Sequence, residues 1–111
     1  MKVKIFKYKW FDKTFEVFLG ITRYAANNLL EVELIEDKSY EEFAVVSKQL
    51  PYRTPNEGCI FVDTNNLPGI EDFLEENDIA FPTGRKEPSG FCIYPEYKLN
   101  EEVFPLCHII G

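Results

Sequence analysis

The sequence is poor in the side chains that usually bind metals or cross-link small proteins. Its 111 residues include one histidine, His108, and three cysteines, Cys59, Cys92 and Cys107, none of which forms a CxxC pair. Zinc sites usually take ligands from such closely spaced pairs, so the spacing offers no local metal motif. An odd number of widely spaced cysteines is typical of reduced thiols rather than of a disulfide framework. We therefore expect no metal, no cofactor and a cytoplasmic protein.

Long apolar runs and phosphate-binding loops are also missing. No segment approaches the ~20 apolar residues that are needed to cross a bilayer. Lysines interrupt the apolar residues of MKVKIFKYKW, which therefore differs from the continuous apolar core of a signal peptide. The stretches PTGR and EPSGF do not match the GxxxxGK[ST] phosphate loop. These absences predict no membrane association and no nucleotide loop of that type.

Basic residues are scarce outside the N-terminal segment. Residues 1–24 carry six Lys or Arg and two acidic residues, a net charge of +4, whereas residues 25–111 carry six and seventeen, a net charge of −11. Direct binding of nucleic acid is disfavoured, because neutralising phosphates requires clustered Lys and Arg. An acidic surface promotes solubility, and it also complements a basic partner such as a nucleic-acid-binding protein. Both interpretations stay open, as does the oligomeric state.

The sequence does contain a series of strand patterns and one helix pattern. Apolar residues alternate in 3–10, 15–21 and 30–34, and residues 41–50 continue this pattern, which predicts four antiparallel strands. The apolar run CIFV at 59–62 predicts a buried strand. Residues 67–77 show helical spacing and end at Asn77, and Asn100 is suited to cap a short C-terminal turn. We predict a single α+β domain over residues 1–111: a curved antiparallel sheet of five or six strands with one main helix on one face.

The stretch AFPTGRKEPSGFCIYPEY, residues 80–97, combines prolines, glycines and aromatic rings. Turn-forming residues dominate its first part, so we predict an irregular loop over 80–90 that closes a sheet edge. The following strand contains Pro95, which predicts an edge or bulged strand. Four aromatic residues are expected to hold the loop on the sheet and helix: Phe81, Phe91, Tyr94 and Tyr97. Arg85 is expected to bond Asp63 or the DTNN turn, because a guanidinium suits a carboxylate or several carbonyls.

Polar residues surround the predicted helix. Asp63 to Asn66 precede it and are expected to cap its free amides. Acidic residues four apart stack on its outer side, which predicts either a solvated face or a surface that imitates phosphate spacing. The predicted binding residues are Asp63, Asn65, Asn66, Arg85, Glu71, Asp72, Glu75 and Glu76.

Three residues have the types that a cysteine hydrolase uses, namely Cys92 as nucleophile, His108 as base and Asp63 as orienting carboxylate. The alternative for Cys92, in the apolar run GFCIY, is a small buried hydrophobe. We consider the alternative the better interpretation and assign no catalytic residue.

Several short motifs together resemble a known family. FVDTNN at 61–66 followed by a short helix, then PTGR at 82–85, SGF at 89–91 and YPEY at 94–97, together with the N-terminal YKWF hairpin, are similar to the small proteins of domain of unknown function 4313. The resemblance does not extend to residues 38–58 or to those after Leu99. The resemblance implies an origin in Gram-positive bacteria and their plasmids, conjugative elements or phages, and it brings no catalytic residues.

Two functions from different classes are therefore expected. The first is a non-enzymatic interaction protein of a mobile element, which binds a host or element protein through the acidic surface or the loop. A sharper form is an acidic inhibitor of a nucleic-acid-handling defence system. The alternative is a small hydrolase or nucleotide-binding enzyme centred on Asp63, Asn65, Arg85 and Cys92. A concave site that joins these polar groups would favour the enzyme.

Overall fold

A computed structural model describes residues 3–109 of the chain. The elements are β1 (Phe6–Trp10), β2 (Lys13–Arg23), β3 (Leu30–Glu36), β4 (Glu42–Val45), β5 (Cys59–Phe61), α1 (Ile70–Glu76), β6 (Ala80–Ser89), β7 (Cys92–Leu99), a 3₁₀ helix (Glu101–Leu106) and β8 (His108–Ile109). A mostly antiparallel arrangement with one short α-helix confirms the α+β class. The strands are divided between two sheets.

The first sheet is the antiparallel meander that the alternating patterns predict. Its order is β1-β2-β3-β4, and β8 adds to β2 in parallel. Successive strand residues point to opposite faces, so one apolar set lies on the inner face. That set is buried and comprises Phe6, Tyr8, Val17, Leu19, Ile21, Val32 and Leu34. The outer face carries Phe18 opposite Ile35 and Gly20 opposite Glu33.

The second sheet has the order β5-β7-β6, with β7 in the centre. Residues 80–89 form strand β6, so the prediction of an irregular loop over 80–90 is wrong. Pro95 predicted an edge or bulged strand; β7 is not an edge strand, and the irregularity lies beside Pro95 as a shift in the pairing of β6 with β7. Pro95 is accommodated because the register of β6 shifts between Pro82 and Lys86, whose partners are Tyr97 and Pro95. Three residues of β6 thus lie opposite the single residue Glu96 of β7. This arrangement is a bulge in β6.

The prediction of one continuous sheet fails at the connection between β4 and β5. Residues 51–58 contain two prolines and two left-handed positions, Tyr52 with φ 63° and Gly58 with φ 76°. They turn the chain away from β4, and β5 pairs with β7 instead. The bridge between Ser47 and Val62 joins the two sheets locally.

Helix α1 covers the inner side of the first sheet, where apolar spacing predicts it. Ile70, Phe73 and Leu74 are buried in the same core as the inner residues of β1 to β3. The Tyr8 hydroxyl donates to the Pro68 carbonyl at 2.6 Å, and the rings of Tyr8 and Phe73 meet edge to face at 5.1 Å. Burial raises the pKa of Tyr8 to about 12. These contacts position the acidic side of α1 toward the surface.

Two asparagines were predicted to lie at helix ends, and both do. Asn77 ends α1 as predicted, and its side-chain amide donates to the Phe73 carbonyl at 2.9 Å. Asn100 caps the 3₁₀ helix by accepting from the Glu102 amide at 3.1 Å.

Among residues 3–109 no helix is both long and apolar enough to cross a membrane.

The four aromatic residues expected to hold the 80–90 segment behave in two ways. Tyr94 and Tyr97 are buried, as predicted. Phe91, at the tip of the β6–β7 hairpin, is fully exposed, and Phe81, near the start of β6, is 42% exposed, so neither ring holds the segment as predicted. Backbone pairing of β6 with β7 holds the segment instead.

Candidate functional site

The bulge in β6 encloses a fully buried carboxylate. Glu96 accepts hydrogen bonds from the Asn56 amide at 2.8 Å, the Asn56 side chain at 3.2 Å and the Thr83 hydroxyl at 2.7 Å. Arg85 Nη1 donates to the same carboxylate at 3.2 Å. The bulge aims Thr83 and Arg85 at Glu96 because Gly84, at φ 94°, takes a backbone conformation that other residues rarely adopt.

The environment of Glu96 favours its charged form. Burial alone would raise its pKa, but the hydrogen bonds from Asn56 and Thr83 and the charge of Arg85 outweigh it and lower the pKa. No buried side-chain nitrogen or oxygen within residues 3–109 lacks a hydrogen-bond partner. Glu96 is therefore satisfied inside the protein and presents no free group to a substrate.

Arg85 does not bond Asp63 or the DTNN turn, so that expectation is wrong. It donates to Glu87 at 2.9 Å, to Glu96 and to the Thr54 carbonyl at 2.9 Å. Its guanidinium lies 5.1 Å from the centre of the Phe61 ring. The hydrogen bond to Glu87, outweighing the opposing effect of burial, raises the pKa of Arg85. Arg85 turns to Glu96 because a buried carboxylate needs a compensating charge.

The turn at residues 63–66 is closed by its own side chains. Asp63 accepts from the Asn66 amide at 3.2 Å and from the Asn66 side chain at 2.9 Å. These residues do not cap α1, contrary to the prediction, because Gly69 at φ 67° reorients the chain before the helix begins. Asn65 and Asn66 are exposed. Their role in binding stays a prediction.

Two of the four predicted helix carboxylates contact the protein itself. The Tyr97 hydroxyl lies 2.9 Å from a Glu71 oxygen and 2.6 Å from a Glu75 oxygen. Burial, with the two carboxylates adding to it, raises the pKa of Tyr97. A phenol donates one hydrogen bond at a time, so the two acids share one donor.

The other two helix carboxylates face basic residues. Asp72 and Glu76 are exposed and line a groove of about 370 Å³ together with Lys7 and Lys9 of β1. The surface over α1 therefore carries both signs of charge at this groove, which the acidic spacing in the sequence did not indicate.

The residues of the hydrolase hypothesis lie in different parts of the fold. Cys92 packs beside the small apolar cluster of Leu50, Phe61 and Tyr94 at the second sheet. His108 belongs to the first sheet, where it pairs with Gly20 and contacts the Phe18 ring edge to face at 6.3 Å. Cys92 is half-buried, so its packing against apolar side chains agrees with its interpretation as a small hydrophobe, although it is not fully buried.

A carboxylate cluster lies on the outer face of the first sheet, and sequence reasoning did not single it out. Glu31, Glu33 and Glu42 offer oxygens that all lie within 4.8 Å of one another. The spacing of Glu31 and Glu33 indicates that they share a face. Glu42 joins them because the β3–β4 register shifts between Leu34 and Ile35, and no residue pattern indicates this shift.

The fold and these contacts define a small α+β domain whose second sheet is held by a closed ion-pair network. The family model described as domain of unknown function (DUF4313) matches residues 18–106. The match covers most of the chain, and the protein belongs to this family. No curated protein and no solved structure matches the chain.

Proposed function

We propose that this protein is a non-enzymatic binding protein that engages a basic protein partner through its acidic surface. One observation carries the proposal: the polar residues considered for catalysis are engaged internally or separated, while many carboxylates stay at the surface. Arg85 is held by Glu87 and Glu96, and Asp63 by Asn66. Asp72 and Glu76, in contrast, are exposed.

The proposed partner is a basic nucleic-acid-binding protein. The net charge of −11 over residues 25–111 favours association with a positive surface, and such complementarity mainly raises the association rate and the specificity. In its sharper form, the protein blocks the basic channel of a nucleic-acid-handling defence system. The proposed setting is the cytoplasm of a bacterium that carries a mobile element, as the family resemblance implies.

The test compares charge-matched double variants. In Asp72→Asn/Glu76→Gln the helix surface loses two charges, and in the control Glu101→Gln/Glu102→Gln the exposed start of the 3₁₀ helix loses two. Each immobilised protein is exposed to host lysate at low and high salt, and retained proteins are identified by mass spectrometry. We expect wild type to retain basic nucleic-acid-binding proteins at low salt and to release them near 0.5 M salt, because the Debye length is then only about 4 Å.

A partner identified in this way is then purified and its affinity measured for all proteins. Retention of no basic protein, or binding that high salt leaves unchanged, would overturn the proposal. If a purified complex hydrolyses a substrate and the activity resides in this chain, the result would favour the enzyme alternative instead.

A further inference from the structure

The outer face of the first sheet carries a groove of about 460 Å³ with apolar walls. Phe18 and Ile35 are cross-strand partners and form its base. Tyr40, at the β3–β4 turn, is 75% exposed and meets the Phe18 ring edge to face at 6.0 Å. His108 lines the other side and also contacts Phe18. The volume lies within the range of about 300–1,000 Å³ that is usual for small binding sites.

A glycine lies beside this groove in the middle of strand β2. Gly20 pairs with Glu33 of β3 on one side and with His108 of β8 on the other. Glycine weakens a strand interior and often marks a place where another group approaches closely. Its two cross-strand partners, Glu33 and His108, both line the groove.

Carboxylates occupy one end of the groove without a charge partner from the described chain. Glu33 and Glu42 line the groove, and Glu31 completes the cluster within 4.8 Å. No Lys or Arg within residues 3–109 forms an ion pair with any of the three, since the observed pairs are Arg53–Glu87, Arg85–Glu87 and Arg85–Glu96. Burial, followed by the hydrogen bond and charge of Glu42, raises the pKa of Glu33 to about 7. The cluster is thus complementary to a cation.

We propose that this groove binds an arginine side chain presented by an extended segment of the basic partner. The assignment rests on the proposed function and locates its docking site on the sheet rather than on α1. The aliphatic stem would pack on Phe18 and Ile35, and the guanidinium would reach Glu33 and Glu42. Arginine fits better than lysine because its planar group stacks on aromatic rings and donates several hydrogen bonds in fixed directions.

The same geometry argues against a metal ion as the occupant. A hard divalent cation such as Mg²⁺ or Ca²⁺ would use only the carboxylate oxygens, and the aromatic rings of Tyr40 and Phe18 would contribute nothing to it. An amphipathic cation uses the apolar walls and the carboxylates together.

The experiment is a titration monitored by amide chemical shifts of ¹⁵N-labelled protein. The probes are capped peptides in which threonine alternates with arginine, with lysine, or with citrulline, the uncharged analogue of arginine. The groove variant Glu33→Gln/Glu42→Gln is compared with Asp72→Asn/Glu76→Gln and Glu101→Gln/Glu102→Gln, each of which loses two charges. Well-dispersed spectra establish that each variant is folded.

We expect the arginine peptide to shift amides of β2, β3 and β4 around the groove and to bind more tightly than the lysine peptide, with no binding of the citrulline peptide. The groove variant should lose about tenfold in affinity or more, and the other two variants about twofold or less. Equal binding of lysine and arginine peptides, or binding of Mn²⁺ alone, would overturn the assignment. If only Asp72→Asn/Glu76→Gln weakens the peptide, the groove assignment fails and the proposed function stands. If, in addition, the wild type retains no basic protein from the lysate, both fail.

Discussion

Replacing Glu96 by alanine removes the carboxylate that the β6 bulge encloses. In the wild type this group is fully buried, accepts three hydrogen bonds from Asn56 and Thr83, and pairs with Arg85. The variant leaves the Asn56 amide without this acceptor and Arg85 with Glu87 as its remaining carboxylate. The Thr83 hydroxyl keeps only its longer contact, 3.4 Å, to the backbone carbonyl of residue 96. The two sheet strands that the network joins should therefore lose stability together.

The expected magnitude follows from the burial of each partner. Removing one member of a buried ion pair costs about 3–5 kcal/mol. The Arg85 side chain is 30% exposed and can regain water, which lowers the expected loss for Glu96→Ala to about 2–4 kcal/mol. In the control Glu87→Ala only the surface pairs with Arg53 and Arg85 are broken, so the expected loss is much smaller than for Glu96→Ala.

Urea unfolding followed by circular dichroism measures both values at pH 7. A further check is pH. Because the pKa of Glu96 is lowered in the folded state, its contribution is present above its ordinary pKa of 4.5 and is lost as the pH falls through the folded-state value. The difference between wild type and Glu96→Gln should thus shrink in acid. A loss for Glu96→Ala no larger than that for Glu87→Ala would refute the reasoning.

Three further outcomes are expected. The pKa of Glu33 is raised to about 7 from an ordinary 4.5, so the wild type loses stability as the pH rises through this range. Glu33→Gln should therefore be more stable than the wild type at pH 8, by about 1–2 kcal/mol after allowance for solvent screening. Equal stabilities at pH 8 in thermal or urea unfolding would contradict this. Tyr97→Phe removes the donor shared by Glu71 and Glu75 and should cost about 1 kcal/mol in urea unfolding, whereas an unchanged midpoint would show that this hydrogen bond has no net value. Burial raises the pKa of Cys107 to about 12 and also raises that of Cys59. A thiol reagent at pH 8 should therefore modify the half-buried Cys92 first. Rapid labelling of Cys107 in the native protein, detected by peptide mass mapping, would argue against the packing described.

The parts of the fold that sequence predicted are those governed by local periodicity. Alternation placed Tyr8, Leu19 and Val32 on the inner face of the first sheet, and helical spacing placed Ile70 and Phe73 on the buried side of α1. Each of these patterns depends on side chains within one element. They required no knowledge of which strands are neighbours.

Pairing between distant strands was beyond such reasoning. The separation into two sheets depends on β5 meeting β7 across more than thirty residues, and the connection at 51–58 looked like an ordinary turn region. Glu96 illustrates the consequence for the site. A glutamate between Pro95 and Tyr97 resembles a surface residue. Only the three β6 residues that lie opposite it bring Thr83 and Arg85 close enough to make its burial tolerable.

Strand β7 is hydrogen-bonded along both of its edges, to β5 and to β6. If it detached, neither neighbour would keep a partner in that sheet, so partial opening of this half offers no stable stopping point. Deuterium uptake at the β7 amides should consequently proceed through global unfolding alone, more slowly than at the outer strand β1. A single central strand thereby makes this half of the molecule respond to denaturation as one cooperative unit.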